Sequence, residues 1–553
     1  MGLRLFYTAL IPLVFFGNQA LYLIQKGEIQ KGIELYRETI KQAENHDFEV
    51  LEQMGQIMLD EGTHSRDPEI QLLSIYGYGI AGRSDSLSVF EAGVQSQNPI
   101  TQLAAVQFLG QLDDDRTSDI LGQAMSSNFL PVRLEAAYYL AQRKNAIATH
   151  QLEALMYKLP PPFRVYFPEF FALIGTPKAI ALLRQLMNDQ ELSVRSASYL
   201  SAAAFGRDDL LGYLRASATH KNPAEQEVCA IALGRLADSH SRDQLKKLSL
   251  STYPNVRLSA HRALYQLGDT TSSSPIIDMA NEGDLLAILA LGSIPEAKDS
   301  LLKLVNNPNR DICLNAALAL LQHKHEACLL PIAEFLTAYP NELAIQPLLS
   351  TGRVQTAWRL APPSMAYAKL TQTDVMSITL DMKERILAAS IDLPESSFLE
   401  LARILFDTRV VPLIPSLVRL LENQKSDGAI ALLKKYTNAV GAPLTRGYCN
   451  LALMRMGEPG PYAENVISET SRLKDTALIR FRSSPPKTNP KDGHRFTPFA
   501  LTPEETSRLL IESYTTLATR GDPKSIAVLL DAISNGNPKN RYALAGLLLK
   551  TLE

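Results

Sequence analysis

One stretch, Asn128 to Arg143 (NFLPVRLEAAYYLAQR), recurs along this chain at a fixed interval. Arg133 is followed 31 residues later by Arg164, and 31 residues after that by Arg195. The same step leads forward to Gln226 and Arg257 and back to Gln102 and Gln71. The text around the anchors is alike: NPITQLAAVQFLGQLDD, LSVRSASYLSAAAFG, NPAEQEVCAIALGRLAD and YPNVRLSAHRALYQLGD. A fixed period in the range of about 20–50 residues signals stacked repeats, because each unit buries its apolar face only on its neighbours. The usual prior of about 150 residues per domain therefore does not apply to the 553 residues as a whole.

Each unit follows one plan. A first helix ends at Asn or Asp, a turn follows, often with Pro (Asn98-Pro99, Asn222-Pro223), and a second helix begins. Asn and Asp accept hydrogen bonds from free helix-start N–H groups, and Pro suits the first helical position. The second helix carries small and apolar residues at i, i+1 and i+4, as in Ala105, Val106 and Leu109 or Ala136, Ala137 and Leu140. That spacing puts them on one face. Cys229 stands where Ala105, Ala136 and Ala260 stand in other units. It and the remaining cysteines, Cys313, Cys328 and Cys449, read as small packing residues. A net charge of −3 gives no global attraction to nucleic acid or to an anionic membrane.

The P-x-V-R text followed by an AAxxLG-like helix resembles HEAT repeats, in particular the short repeats of the phycobilisome-lyase type. The likeness runs from about Asp67 to Leu321 and weakens beyond. It implies an all-α, right-handed α-solenoid of antiparallel helix pairs, with the second helices lining a concave face. It also implies that Arg133, Arg164, Arg195 and Arg257 form a structural ladder with Asp or Asn of the turns, the alternative being a row that binds anions. Ala20, Tyr22, Gly27, Gly32 and Tyr36 resemble one tetratricopeptide-like hairpin.

Seven segments follow. Residues 1–20 read either as a secretory signal, with Arg4 before the apolar run Leu5–Phe16, or as an N-terminal cap helix. That run is too short to span a bilayer, which needs about 20 apolar residues. The signal reading expects export to the periplasm or beyond; otherwise the protein stays cytoplasmic. Residues 21–66 form the tetratricopeptide-like hairpin, 67–338 the HEAT-like array, and 339–380 an irregular junction broken by Pro347, Pro362 and Pro363. Residues 381–480 hold further helical repeats, including a HEAT-like unit around Arg446, and 502–553 hold capping helices. Between them, 481–501 is basic and proline-rich and reads as a flexible loop.

No residue set points to a catalytic, cofactor or metal site. Gly77, Gly79 and Gly82 match G-x-G-x-x-G, but they fall in helical text, where a dinucleotide fingerprint needs a strand before it. His323, His325, Glu326 and Cys328 cluster without a partner cluster. Deoxyhypusine hydroxylase, a HEAT-type enzyme, needs several His-Glu pairs, and this chain has one, His325-Glu326. HEAT-like DNA glycosylases use a basic groove, whereas the second helices here carry Ala, Leu, Ser and Tyr. The expected role is therefore non-enzymatic protein binding or scaffolding, with a protein partner, no nucleic acid and no integral membrane span. The resemblance supplies a rival, a phycobilin-lyase-like enzyme or maturation factor. Phe108, Tyr139 and Phe170 recur at the 31-residue step, and Phe163, Tyr166 and Phe167 lie close by in the text. Phe108, Tyr139, Phe163, Tyr166 and Phe170 are candidate partner-binding residues if exposed; if buried, the row is packing between repeats.

Overall fold

The second helices of the array are set by their ends. Pro99–Gln111, Leu130–Gln142, Leu192–Ala204, Pro223–Arg235, Pro254–Gln266 and Arg310–Gln322 are each 13 residues long. At their starts, the Asn98, Asn222 and Asn309 side chains accept from the backbone N–H two residues on, each at 2.9 Å. Just past Leu130–Gln142, Phe167–Ile174, Leu192–Ala204, Pro223–Arg235 and Pro254–Gln266 the chain turns through the left-handed region, at Lys144, Gly175, Gly206, Ala237 and Gly268, again 31 residues apart. Glycine takes this conformation freely. Lys144 and Ala237 adopt it with φ of 53°, at a strain cost of about 1–3 kcal/mol each, so the turn is imposed by the stacking as much as by local preference.

The computed structural model describes residues 19–43, 46–83, 86–159, 161–338, 375–479 and 501–550, and every regular element among them is a helix. The expected all-α solenoid of antiparallel helix pairs is what the chain forms. Residues 1–18, most of the 339–380 junction and nearly all of the 481–501 stretch lie outside the described residues.

Two compact units result. The first spans residues 121–405. Here the helices Leu192–Ala204, Pro223–Arg235 and Pro254–Gln266 stack in succession. Ala197, Cys229, Ala230, Leu233, Ala260 and Ala263 are buried between them. Small side chains at the contact let the helix axes approach, which raises packing density. Cys229 is a free thiol that burial pushes well above the usual range, as expected of a packing residue.

The second unit combines residues 1–120 with 406–553. Its N-terminal hairpin turns at Gly27, with φ of 78°, into the helix Ile29–Ala43. Tyr36 is buried and its hydroxyl accepts from the Asp47 N–H at 3.1 Å. The C-terminal helices pack on the chain's own N-terminal helices. Asn540–Lys550 packs on both Phe48–Thr63 and Pro68–Ala81. A Cβ built on Gly546 would stand 2.1 Å from the Gly77 carbonyl oxygen, so this crossing requires glycine. Lys539 pairs with Glu69 at 2.7 Å, and Arg37 donates to the Ala527 carbonyl at 3.2 Å.

Candidate functional site

The anchor residues have one structural job in five repeats. Gln71, Gln102, Arg195, Gln226 and Arg257 each donate to the carbonyl six residues upstream, that of Ser65, Ser96, Asp189, His220 and Ser251. Arg195 and Arg257 also reach the carbonyl five residues upstream, at 2.9 and 3.2 Å. The geometry follows from helix direction. Cα–Cβ bonds lean toward the N-terminus, so a side chain one turn into the helix lies over the preceding turn, where carbonyls lack helical partners. Gln and Arg both carry N–H donors of sufficient reach, which explains their interchange. Arg195 also pairs with the buried Glu225 of the next repeat. Arg164 pairs with Asp189 at 3.2 Å, while the Arg133 Nε is buried without a hydrogen-bond partner among the described residues.

The aromatic row divides. Tyr139 and Phe170 are buried, in the unit of residues 121–405. Tyr139 packs edge-on against Tyr138 at 5.6 Å, and Phe170 against Phe167 at 6.3 Å. Burial, with the fully buried Glu135 carboxylate nearby, pushes the Tyr139 phenol up to about 12. In the other unit, Phe108 is half-buried and sits edge-on to Tyr76 at 5.3 Å. Two of the three repeat-spaced rings are therefore buried, and Phe108 meets a ring of the preceding second helix. Phe163 is 37% exposed and Tyr166 half-buried; both lie in the six-residue 3₁₀ turn Pro161–Tyr166, outside the repeating second helices.

Other motifs resolve as packing and turns. Gly77 and Gly79 lie inside the helix Pro68–Ala81, and Gly82 ends it. His325 accepts from the Ala327 N–H at 3.1 Å as a helix-start cap, and His323 meets the Leu291 carbonyl at 2.9 Å. Among the described residues no three His, Cys, Asp or Glu groups gather in a metal-holding cluster. Nor is any helix among them long and apolar enough to cross a membrane. Lys383 is a buried cation the sequence did not single out. Its ammonium donates to the Leu336 and Ala338 carbonyls at 3.1 and 2.7 Å, and burial draws it down to about 7.

Two further exposed rings of the unit 121–405 sit on first helices, while Tyr253, also exposed, stands at the start of the second helix Pro254–Gln266. Tyr157, on Ile147–Lys158, is 56% exposed, and its hydroxyl accepts from Gln185 Nε2 at 2.8 Å. Tyr213, on Leu211–Ser217, is 43% exposed, with the Arg184 guanidinium 5.5 Å from its ring centre. Gln185 and Arg184 are adjacent on Pro177–Leu186, so three successive first helices carry one exposed ridge. Sequence reasoning missed it because these rings are 56 residues apart and off the 31-residue step.

Among the described residues, cavities of the unit of residues 1–120 and 406–553 include three of note. One of about 530 Å³ is lined by Asp60, His64, Gln71, Ser88, Ser96 and Thr101, among others. A second, about 510 Å³, is lined by Arg419, Arg455, Glu512 and Arg520 with three threonines. Its central charge is matched internally, since Arg455 grips Glu422 at 2.8 and 2.7 Å and reaches Glu512 at 3.3 Å. The third, about 210 Å³, surrounds Arg446.

No family model matches the sequence, and no curated protein matches it. Solved structures do. The complex of CpcE and CpcF of phycocyanin lyase from Nostoc sp. PCC7120 is similar over 43% of this chain and 87% of its own, at 18% identity and a TM-score of 0.25. Human deoxyhypusine hydroxylase covers 44% of this chain and 97% of its own, at 16% identity and a TM-score of 0.21. Importin beta covers 97% of this chain and 86% of its own, at 10% identity and a TM-score of 0.32. The 31-residue step and the paired helices make this chain an α-solenoid of antiparallel helix pairs, whose repeat text resembles HEAT repeats.

Proposed function

We propose that the chain is a non-enzymatic protein-binding or scaffolding protein, and that a protein partner seats on the ridge of Tyr157, Arg184, Gln185 and Tyr213, with Phe163 as a further exposed ring. The observation that carries this is the pair of exposed tyrosines held in place across repeats, one by Gln185 and one by Arg184. Rings ordered before binding lose little entropy on docking, and Tyr and Arg are the residues that most often anchor interfaces. The test is affinity capture from the native host with wild-type protein and with the double variant Tyr157→Ala/Tyr213→Ala, each checked by thermal melting. The variant is expected to lose specific captured proteins with an unchanged melting temperature. Identical capture by both proteins would remove the ridge as the site.

Export through residues 1–20 is proposed alongside. Intact-mass measurement on protein from the native host should then show a start near Leu21, and a cytosolic protein retaining Met1 or Gly2 would overturn it.

A further inference from the structure

The repeat around Arg446 breaks the ladder in a specific way. Arg446 occupies the anchor place of Pro443–Arg455, as Arg257 does of Pro254–Gln266, each four residues past the residue that precedes its helix. Its expected acceptors are the carbonyls six and five residues upstream, those of Val440 and Gly441. Arg409 has taken both. Its Nη2 donates to the Val440 carbonyl at 3.2 Å and its Nη1 to the Gly441 carbonyl at 3.5 Å. The Arg446 guanidinium makes no hydrogen bond or ion pair among the described residues, and it lines the cavity of about 210 Å³.

The rest of that cavity mixes apolar groups (Pro443, Val466 and Leu509) with polar ones that are mostly settled. Asn450 is buried and donates to the Thr437 and Arg446 carbonyls at 3.1 and 2.8 Å, and its own side-chain oxygen accepts from Asn465 at 2.9 Å. Ser513 donates to the Leu509 carbonyl at 2.9 Å. Glu469, the carboxylate of the lining, is paired with Arg472 at 2.6 Å. Asn438 and Ser468 stand at the exposed rim. A half-buried guanidinium that makes no ion pair among the described residues, with amides and hydroxyls beside it and Glu469 held by Arg472, suits an oxyanion. Its planar fork matches a carboxylate in particular.

We propose that the Arg446 cavity is a carboxylate-binding site, created when Arg409 displaces Arg446 from the repeat ladder. It goes beyond the ridge reading and does not depend on it. The carboxylate can be that of a small free acid or of an acidic side chain on a protein. Calorimetric titration of the full chain at low salt distinguishes these, using sodium succinate, sodium phosphate and the blocked peptide acetyl-Gly-Glu-Glu-Gly-amide as probes. Succinate binding without peptide binding identifies a free acid, and peptide binding identifies an acidic side chain. Arg446→Gln should weaken the bound probe by about tenfold to a hundredfold, the scale of a charge-assisted hydrogen bond, with unchanged circular dichroism and melting temperature. Arg409→Gln, which alters no residue lining the cavity, should also weaken it, because Arg446 can then return to the vacated carbonyls. The proposal is overturned if no carboxylate probe binds, if phosphate binds as tightly as succinate, or if Arg446→Gln binds like wild type. Unchanged binding in Arg409→Gln would overturn the displacement step.

Discussion

The repeats across residues 192–266 and the helices at the two chain ends bury the same kind of surface against different partners. In the first region each helix meets the next one along the chain, and Arg195, Gln226 and Arg257 tie each turn to its own helix. At the chain ends, Asn540–Lys550 packs on helices almost 500 residues earlier, and the Arg446 turn is held by an arginine from the preceding repeat. A repeat needs only a neighbour of suitable shape, and the chain supplies that neighbour locally or from far away. Local supply is written in the period. Distant supply depends on single close fits.

Substitutions at three positions test that contrast, from the largest effect down. Tyr139→Ala should destabilise the unit of residues 121–405 by about 3–5 kcal/mol, the cost of truncating a large buried ring. Urea unfolding reads this as an earlier midpoint, and a change under about 1 kcal/mol would place the ring at the surface after all. Gly546→Ala should cost about 1–3 kcal/mol, because the added methyl meets the Gly77 backbone rather than a side chain that can swing away. Hydrogen exchange should show the loss in Phe48–Thr63 and Pro68–Ala81, with Pro223–Arg235 unaffected; a uniform change would mean the two regions do not differ as described. Arg257→Ala should cost about 1 kcal/mol, the usual net value of a hydrogen bond to a turn carbonyl, while Arg257→Gln should cost close to nothing, since Gln226 fills the same place one repeat earlier. Equal losses in the two variants would show that the Arg257 charge, and not the hydrogen bond, matters there.

The ladder shows what could be read early. The anchor positions were visible as a 31-residue step. The ladder was expected to run to an Asp or Asn of the turn, whereas five anchors bind the turn's backbone carbonyls whatever the residue there, because the helix-start geometry aims the side chain at the turn's main chain. The aromatic row was legible as a row, but its direction was not. Three rings at one register share a face, and whether that face meets solvent depends on the helix beside it. Tyr157 and Tyr213 were invisible as a pair because first helices differ in length from repeat to repeat, as 12 residues in Ile147–Lys158 and 7 in Leu211–Ser217 show.

By itself the sequence determined the all-α repeat architecture, the turns and the packing role of the cysteines. All of these follow from periodicity and from the short-range chemistry of Asn, Pro, Gly and Ala. Only the tertiary structure decided that Gly77 would face Gly546, that Tyr139 would be buried while Tyr157 is not, and that Arg409 would take the carbonyls waiting for Arg446. The reason is physical. A period specifies which residues can make a contact, but two donors within reach of the same carbonyl compete, and the winner depends on where packing places each helix.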